Sequence, residues 1–359
     1  MLLRDLTIEN YRSFAKYKLD GLAQVNLLVG DNNSGKTSVL EAAHLLISQG
    51  KLPCALETLH TREAFRSVVL TGGKQIKELP DISSLFRRSR FGDSVSDLDN
   101  FTITEQSAPA RSVRFQIKRT EDLTPYELKT EAFIAGEKHR TEIARFGQPG
   151  MGKDNFRPPT QTAVAPELAK IVHRIPKHIF VSSRGLSTPH IAKLWAELLR
   201  NQRESTVVEF MNVIHPSLRQ IHFGPDTRSR SNVWIDLGAD RIPASQLGEG
   251  TVFLLSIGVA LASSFDGATY IDEIDTGLHY SRLADMWRMV VRTAKKLHVQ
   301  VFATTHSLDC IRALEEACDQ DESLRDEVAI FSIDRRMDEA VRYGGDELST
   351  VVEHEIEVR

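Results

Sequence analysis

The segment Gly30–Thr37 combines residue types that bind phosphate groups. It reads GDNNSGKT and matches the spacing G-x-x-x-x-G-K-[ST]. Its two glycines allow the backbone to curl so that amide N–H groups point inward, and a helix beginning there adds positive potential. Lys36 supplies a full charge for the β- and γ-phosphates, and Thr37 supplies a hydroxyl for Mg²⁺. The predicted nucleotide-binding residues are Gly30, Asn33, Ser34, Gly35, Lys36, Thr37 and Ser38.

Two carboxylates stand together about 235 residues later, in the segment Ala268–Asp275 (ATYIDEID). A carboxylate at the end of a strand beside the phosphate loop can hold Mg²⁺, and its neighbour can orient and polarise an attacking water. We therefore assign Asp272 to the metal, together with Thr37, and Glu273 to the water. His306 follows the next apolar strand and is predicted to contact the γ-phosphate or that water. Glu273 and His306 are the predicted catalytic residues.

The elements that must carry these residues follow from hydrophobic patterning. An apolar run, QVNLLVG, ends at the phosphate loop and predicts a buried strand, and KTSVLEAAHLLISQG predicts the helix that follows it. After residue 240 the pattern predicts helices at 251–264, 280–297 and 307–318 that alternate with strands at 268–272, 299–305 and 328–334. This alternation favours an α/β fold with a largely parallel sheet.

The middle of the chain is less regular. Strands are predicted in FRSVVLTG, NFTIT, SVRFQIKR, YELKTEAFIAG, HIFVSS and SNVWIDLG, one or two helices at 190–214, and a loop at 147–162 that is rich in glycine and proline. Neither a long heptad run nor a repeat of fixed period is present.

Composition limits the class of protein. The chain has 359 residues and a formal charge of −4, which does not indicate a nucleic-acid-binding protein. Its three cysteines form no CxxC pair, and no signal peptide is evident at the first residues. The most apolar run, 252–262, is too short to cross a bilayer. We therefore expect a cytoplasmic protein that does not contact a membrane.

Taken together, the motifs resemble those of the ABC-type ATPase superclass, and in particular the RecF, SMC and OLD-like AAA ATPases. The matching segments are TIENYRSF, LLVGDNNSGKTSVLEA, IDEIDTGLHYSRLADMW, ATTHS and the final EIEVR. The resemblance covers 1–50 and 240–359 well and is general in between. It implies ATP and Mg²⁺ as cofactors, with Arg12 near the nucleotide and Asp275 at a dimer seam. A Q-loop glutamine is not recognisable at the expected place.

The same resemblance gives a role to LGEGT at 247–251, which is placed like the family's signature Leu-Ser-Gly-Gly-Gln. In the family this motif closes on the ATP of a second subunit, so the predicted residues acting in trans are Leu247, Gly248, Glu249 and Gly250. Gly248 stands where the serine hydroxyl would be, and Glu249 puts a negative charge near the γ-phosphate. The motif therefore predicts a slow ATPase, and a turn that only starts a core helix is the alternative.

The resemblance implies one ATPase head over residues 1–359, a P-loop NTPase fold with a mainly parallel core sheet, an antiparallel β lobe and a helical insertion. We divide it into an N-terminal lobe with the phosphate loop (1–60), a β and helical insertion (61–235), and a lobe with the signature, Walker B and switch histidine (236–359). Only 53 residues follow His306, and no metal-nuclease cluster is recognisable, so we expect no nuclease activity of its own.

Two functions remain open from the sequence. The first is a slow dimeric ATP switch, a homodimer or higher oligomer formed across ATP, that gates a separate effector protein in bacterial anti-phage defence. The second is a RecF-like DNA-binding ATPase of repair or recombination. Arginines at 85–92 and 226–232 are the candidates for DNA contact, with solvated loops as the alternative. A transporter subunit is disfavoured because both the full signature and a clear Q-loop are missing.

Overall fold

The computed structural model describes residues 3–69, 76–87, 99–118, 126–146, 160–164, 175–212, 215–225, 231–238 and 240–353. Two large sheets and eight α-helices make up most of this part of the chain.

A six-stranded sheet forms the centre of the fold. In sheet order its strands are β11 (His178–Val181), β15 (Ala268–Ile271), β16 (Gln300–Thr304), β3 (Val25–Val29), β17 (Val328–Ser332) and β18 (Val341–Gly344). The first five run parallel and only β18 is antiparallel. The strands β3, β15 and β16 are buried along their whole length, as expected for parallel strands covered on both faces. Their carboxyl ends therefore meet at one edge of the sheet.

A second, seven-stranded sheet is antiparallel where its pairing is described. Its order is β10 (Thr160–Val164), β9 (Glu137–Phe146), β8 (Tyr126–Ile134), β7 (Arg111–Lys118), β6 (Asp99–Glu105), β1 (Asp5–Tyr11) and β2 (Phe14–Asp20). Smaller sheets are formed by β4 (Phe65–Val69) with β5 (Ile76–Pro80), and by β12 (Gln220–Pro225), β13 (Ser231–Asp236) and β14 (Arg241–Pro243).

The helices are α1 (Lys36–Ile47), α2 (Leu52–Thr61), α3 (Thr188–Arg200), α4 (Glu204–Asn212), α5 (Glu249–Ser263), α6 (Leu283–Leu297), α7 (Leu308–Gln320) and α8 (Leu348–Glu353). Helix α1 packs between the two large sheets, with contacts to β15 and β16 on one side and to β1, β6 and β7 on the other. Its residues from Ser38 to Ile47 are all buried for this reason. The loop before α1 is thus fixed by two hydrophobic cores.

Helix α5 is almost entirely apolar, and its position explains why. It packs on β11 and β15 on one side and against α3, α4 and α6 on the other. From Gly250 to Ser263 only Val252 is not fully buried. The start of α5, at Glu249, is held at the surface by this buried body.

The predicted α/β fold with a mainly parallel core sheet, an antiparallel β lobe and helical segments is confirmed. The predicted strands and helices after residue 240 are present, with one correction. Residues Tyr280–Arg282 form a 3₁₀ turn, and the helix predicted at 280–297 begins only at Leu283. A second correction concerns the loop predicted at 147–162, because its last residues from Thr160 belong to β10, which pairs with β9.

Several elements have no counterpart in the sequence prediction, namely α2, β5, β9, β12, β14, β18 and α8. The proposed lobes share sheets. Strand β6, from the range 61–235, pairs with β1 of the first lobe. Strand β11, from the same range, lies in the parallel sheet beside β15. The division into lobes remains a prediction. Much of 85–92 and 226–232 and all of EIEVR lie outside the described residues.

All three cysteines are free and buried. Within the described ranges, no helix combines the length and apolar character needed to span a bilayer.

Candidate functional site

The phosphate loop joins β3 to α1 and has the conformation that its glycines were predicted to allow. Gly30 has φ of 139° and Gly35 has φ of 109°, and both values are strained for a residue with a Cβ. A Cβ at Gly35 would collide with the ring of Phe14, and one at Gly30 would collide with the carbonyl oxygen of Ile333. The loop is therefore folded tightly against its neighbours before α1 begins.

Lys36 points back over this loop. Its Nζ donates to the carbonyl oxygens of Gly30 and Asp31, both at 2.7 Å. Burial lowers the pKa of Lys36, against the opposing effect of the nearby carboxylates of Asp272, Asp31 and Glu273. The ammonium group is thus held inside the curl of the loop, where a phosphate bound by the loop would meet it.

Asp272 is linked by hydrogen bonds to helix α1 and to strand β16. Its Oδ1 accepts from the Thr37 hydroxyl at 3.1 Å and from the Thr304 hydroxyl at 2.7 Å. The link follows from the sheet order, because β16 lies between β15 and β3 and ends at Thr304. The structure therefore brings together the two predicted metal ligands, Thr37 and Asp272.

The predicted catalytic residues, Glu273 and His306, lie next to Asp272. The Glu273 N–H donates to the Thr304 hydroxyl at 2.9 Å, and Glu273 has a left-handed φ of 53°. This turn directs the backbone away from the strand, and the Glu273 side chain remains about half exposed. Its Oε1 lies 3.9 Å from Nδ1 of His306, which is about half exposed as well. Glu273 and His306 thus share one solvent-accessible position beside Asp272.

These residues fit the cofactors that the motifs imply. Mg²⁺ prefers hard oxygen ligands and keeps several waters, and Thr37 with Asp272 offers a hydroxyl and a carboxylate within hydrogen-bond distance of each other. The Ser34 hydroxyl is buried in the phosphate loop and has no partner within the described structure. An unpaired polar group at this place fits a loop that binds an anionic ligand.

Arg12 is placed behind the loop. Its Nε lies 2.8 Å from Glu41 of α1, and Nη1 donates to the carbonyl oxygen of Ser84 at 3.3 Å. Glu41 also binds Arg62 at 2.7 Å, and Arg62 donates to the hydroxyl of Ser38 at 3.3 Å. Arg12 is connected to the nucleotide loop through this network, and its contact with a nucleotide remains a prediction.

The segment predicted to act in trans lies at the surface. Gly248 and Glu249 are exposed, Gly248 has φ of 96°, and Leu247 is half-buried. The Gly248 N–H donates to the carbonyl oxygen of Ser245 at 3.4 Å. Gly250 packs directly against Gly277, where a Cβ would collide with the Gly277 carbonyl oxygen.

Asp275 belongs to the same turn as Gly277. Its Oδ1 accepts from the Thr305 hydroxyl at 2.7 Å, and the Leu278 N–H donates to its carbonyl oxygen at 3.1 Å. The predicted signature and the predicted seam residue therefore form one continuous surface. Their roles in a dimer remain predictions.

Sequence reasoning missed several residues of this site. Thr304 and Thr305 are part of the stretch ATTHS but were treated only as a strand end, and a polar pair at the end of an otherwise apolar strand was the available signal. A cavity of about 470 Å³ beside the phosphate loop is lined by 30–34 and by 332–336. Asp334 and Arg336 of the second segment form an ion pair at 2.7 Å, and the segment carried no recognised motif.

The fold and the site together define a P-loop ATPase head of the kind found in RecF and SMC proteins. The chain belongs to the family described as "AAA domain, putative AbiEii toxin, Type IV TA system", whose model matches residues 25–310. The resemblance inferred from the motifs is thereby confirmed.

Known relatives agree with this assignment. A Helicobacter pylori protein named "ATP/GTP phosphatase" is 24% identical over 336 residues, which is 88% of each chain. The DNA replication and repair protein RecF of Idiomarina loihiensis is 27% identical over 150 residues, 41% of this chain and 38% of RecF. A solved SMC head bound to the C-terminal winged-helix domain of ScpA covers 98% of this chain and 100% of that one, with a TM-score of 0.53 and 10% identity. This last likeness concerns the fold alone.

Proposed function

We propose that this protein is a slow ATP-hydrolysing switch in which two heads close on ATP and thereby control a separate effector. The observation that carries the ATPase part is the unit of Thr37, Asp272 and Thr304, with Glu273 and His306 beside it. The name of the Helicobacter pylori relative supports hydrolysis of nucleoside triphosphates.

The residues divide the chemistry among themselves. Lys36 and the loop amides would hold the phosphates, and Thr37 with Asp272 would hold Mg²⁺, which would stabilise charge on the phosphate oxygens. Glu273 orients the attacking water and accepts its proton, because its carboxylate is accessible to solvent. His306 stabilises the charge that develops on the γ-phosphate. Thr304 holds Asp272 and the Glu273 backbone in position through the two hydrogen bonds of its hydroxyl.

The dimeric part rests on the exposed turn of Gly248 and Glu249 and on its packing against the turn of Asp275 and Gly277. A glycine-led helix start is suited to approach a phosphate bound by a second copy. Glu249 opposes such an approach electrostatically, which favours slow turnover and a long-lived ATP state.

Trapping the ATP state tests the proposal. In Glu273→Gln the amide cannot accept the proton of the water, so the variant is expected to bind ATP, hydrolyse it very slowly and elute at about twice the monomer mass by light scattering. Lys36→Ala is the matched control, because it should lose nucleotide binding and show no change of mass on addition of ATP. If ATP leaves the mass of Glu273→Gln unchanged at the monomer value, the transient dimer is wrong.

The effector remains to be identified by its dependence on nucleotide. The family description names a "putative AbiEii toxin" of a toxin–antitoxin system, which is in keeping with a role in bacterial defence. From the native host, the effector should copurify with Glu273→Gln in ATP but not with Lys36→Ala. Equal recovery with both variants would contradict control by ATP. A cytoplasmic location is part of this proposal.

A second function, direct DNA binding in repair, is supported by the similarity to RecF. Under this alternative the protein binds duplex DNA with an affinity that falls steeply with salt, because each arginine–phosphate contact releases counterions. Changing Arg87, Arg88 and Arg90 together should weaken binding and reduce the salt slope. Absent or salt-insensitive binding would leave the switch as the better function.

A further inference from the structure

Two histidines and a cysteine lie close together near the end of α1 that is farther from the phosphate loop. His44 lies on α1, Cys54 on α2 and His178 at the start of β11. One ligand atom from each, a ring nitrogen or the thiol sulfur, lies within 4.8 Å of the other two. His44 follows Lys36 by eight residues, about 12 Å along the helix axis. The cluster is therefore separate from the nucleotide site.

The geometry of the cluster is close to that of a tetrahedral metal site. The distance from Cys54 Sγ to His178 Nε2 is 3.5 Å. Two ligands on one zinc ion, with bonds of about 2.3 Å to sulfur and about 2.1 Å to nitrogen, are separated by roughly 3.6 Å. The His44 ring offers the third ligand atom, which lies within 4.8 Å of the other two.

The surroundings of the cluster favour ligation as well. His178 Nδ1 lies 2.8 Å from the carbonyl oxygen of Pro176, an arrangement that fixes the ring and leaves Nε2 directed at Cys54. His44 is 1% exposed, and its Nδ1 has no hydrogen-bond partner among the described residues. A buried imidazole nitrogen without a partner is costly unless a ligand or a water satisfies it.

We propose that His44, Cys54 and His178 bind a single Zn²⁺ ion. Imidazole and thiolate together suit zinc better than magnesium or calcium, which prefer oxygen ligands. Three protein ligands leave the fourth position to a water or another small ligand. The ion fastens α2 and β11 to the helix that begins at the phosphate loop. On binding, the Cys54 thiol gives up its proton to solvent and the sulfur forms the bond to the metal.

Metal titration of the full chain tests this site. The purified protein is treated with a chelator, and then Co²⁺ and Zn²⁺ are added without nucleotide. We expect one Co²⁺ per chain with a sulfur-to-cobalt absorption band, its displacement by Zn²⁺, and a higher melting temperature with Zn²⁺. The oxygen ligands of the nucleotide site cannot produce a sulfur band, so Lys36→Ala, although it loses nucleotide binding, should give the same cobalt band and the same thermal shift with Zn²⁺.

Variants identify the ligands. Cys54→Ser should lose the sulfur band and the thermal shift, and His178→Gln should weaken zinc binding by more than the roughly 10- to 100-fold that is typical of losing a group that only orients a ligand. Cys318→Ser is the matched control, because it alters another buried cysteine that lies on α7 and outside the cluster. Folding of each variant is checked by ATP binding. Failure of the folded native chain to bind one Zn²⁺, or loss of the band in Cys318→Ser with its retention in Cys54→Ser, would overturn the site.

Discussion

At the scale of single residues, the site depends on Thr304, a threonine to which the motifs assigned no role. The Thr304 hydroxyl donates to Asp272 and accepts from the Glu273 N–H, so one group aligns both carboxylate residues. The residue types of the carboxylate pair and the phosphate loop could be predicted, because each performs a chemical step itself. The sequence marks Thr304 as a polar residue at a strand end, but its role was not predicted, because that role arises from the strand order, in which β16 lies between β15 and β3.

Replacing Thr304 by valine tests this role. The substitution keeps the shape of the side chain and removes both hydrogen bonds, one of them to a charged group, with a loss of about 1.5–3 kcal/mol. We expect the turnover number to fall about 10- to 100-fold, while the dissociation constant for ATP changes little. Steady-state ATPase assays and an ATP titration measure the two quantities.

The matched control is Thr269→Val on β15. Thr269 is fully buried and its hydroxyl has no partner in the described part of the chain. This variant should retain native kinetics and equal or exceed the native melting temperature. If both variants lose turnover to the same degree, the effect comes from the core of the sheet and not from Asp272.

At the scale of elements, strands and helices were predicted correctly where the hydrophobic pattern of a single segment indicates its structure. The apolar strands β3, β15 and β16 and the helices after them show clear patterns because both faces of the parallel sheet are covered. Helix α2 was missed although a proline at the first positions of a helix, as it has, is common. Strand β18 is largely exposed and is defined by its pairing with β17.

The junction of β3 and α1 yields a prediction about Gly35. In Gly35→Ala the methyl group meets the Phe14 ring and the backbone is strained at φ of 109°. We expect the free energy of unfolding to fall by about 2–5 kcal/mol and ATP binding to be strongly reduced. Urea unfolding with and without ATP measures both effects.

The variant Gly136→Ala is the control that separates the effect of backbone strain from that of the collision with a neighbouring side chain. Gly136 has a positive φ of 81° in the turn between β8 and β9, and within the described residues no atom beyond its chain neighbours lies within 4 Å of the position that an added methyl group would occupy. Its cost should be limited to about 1–2 kcal/mol, with normal ATP binding. Equal destabilisation by the two variants would show that the contact of Gly35 with Phe14 is unimportant.

At the scale of the whole molecule, the sequence predicted the parallel core and the placement of the nucleotide motifs. It did not predict which segments distant in the sequence lie next to each other. No local signal indicates that β6 pairs with β1 across about 90 residues, or that His44, Cys54 and His178 meet. The surface formed by Gly248, Glu249 and the partly exposed Asp275 could not be predicted either, because its parts are joined by the packing of α5 on the turn that follows β15.

This surface leads to a prediction about the rate of the assembled protein. If Glu249 faces the γ-phosphate of a second copy, Glu249→Gln removes a repulsion on the order of 1 kcal/mol and should raise turnover about fivefold. The effect should depend on protein concentration, since it requires two heads. Asp309→Asn, which removes another exposed acid from the first turn of a helix, is the control and should leave the rate unchanged. A rate increase that persists when the protein is diluted below its dimerisation range would show that Glu249 acts within its own chain.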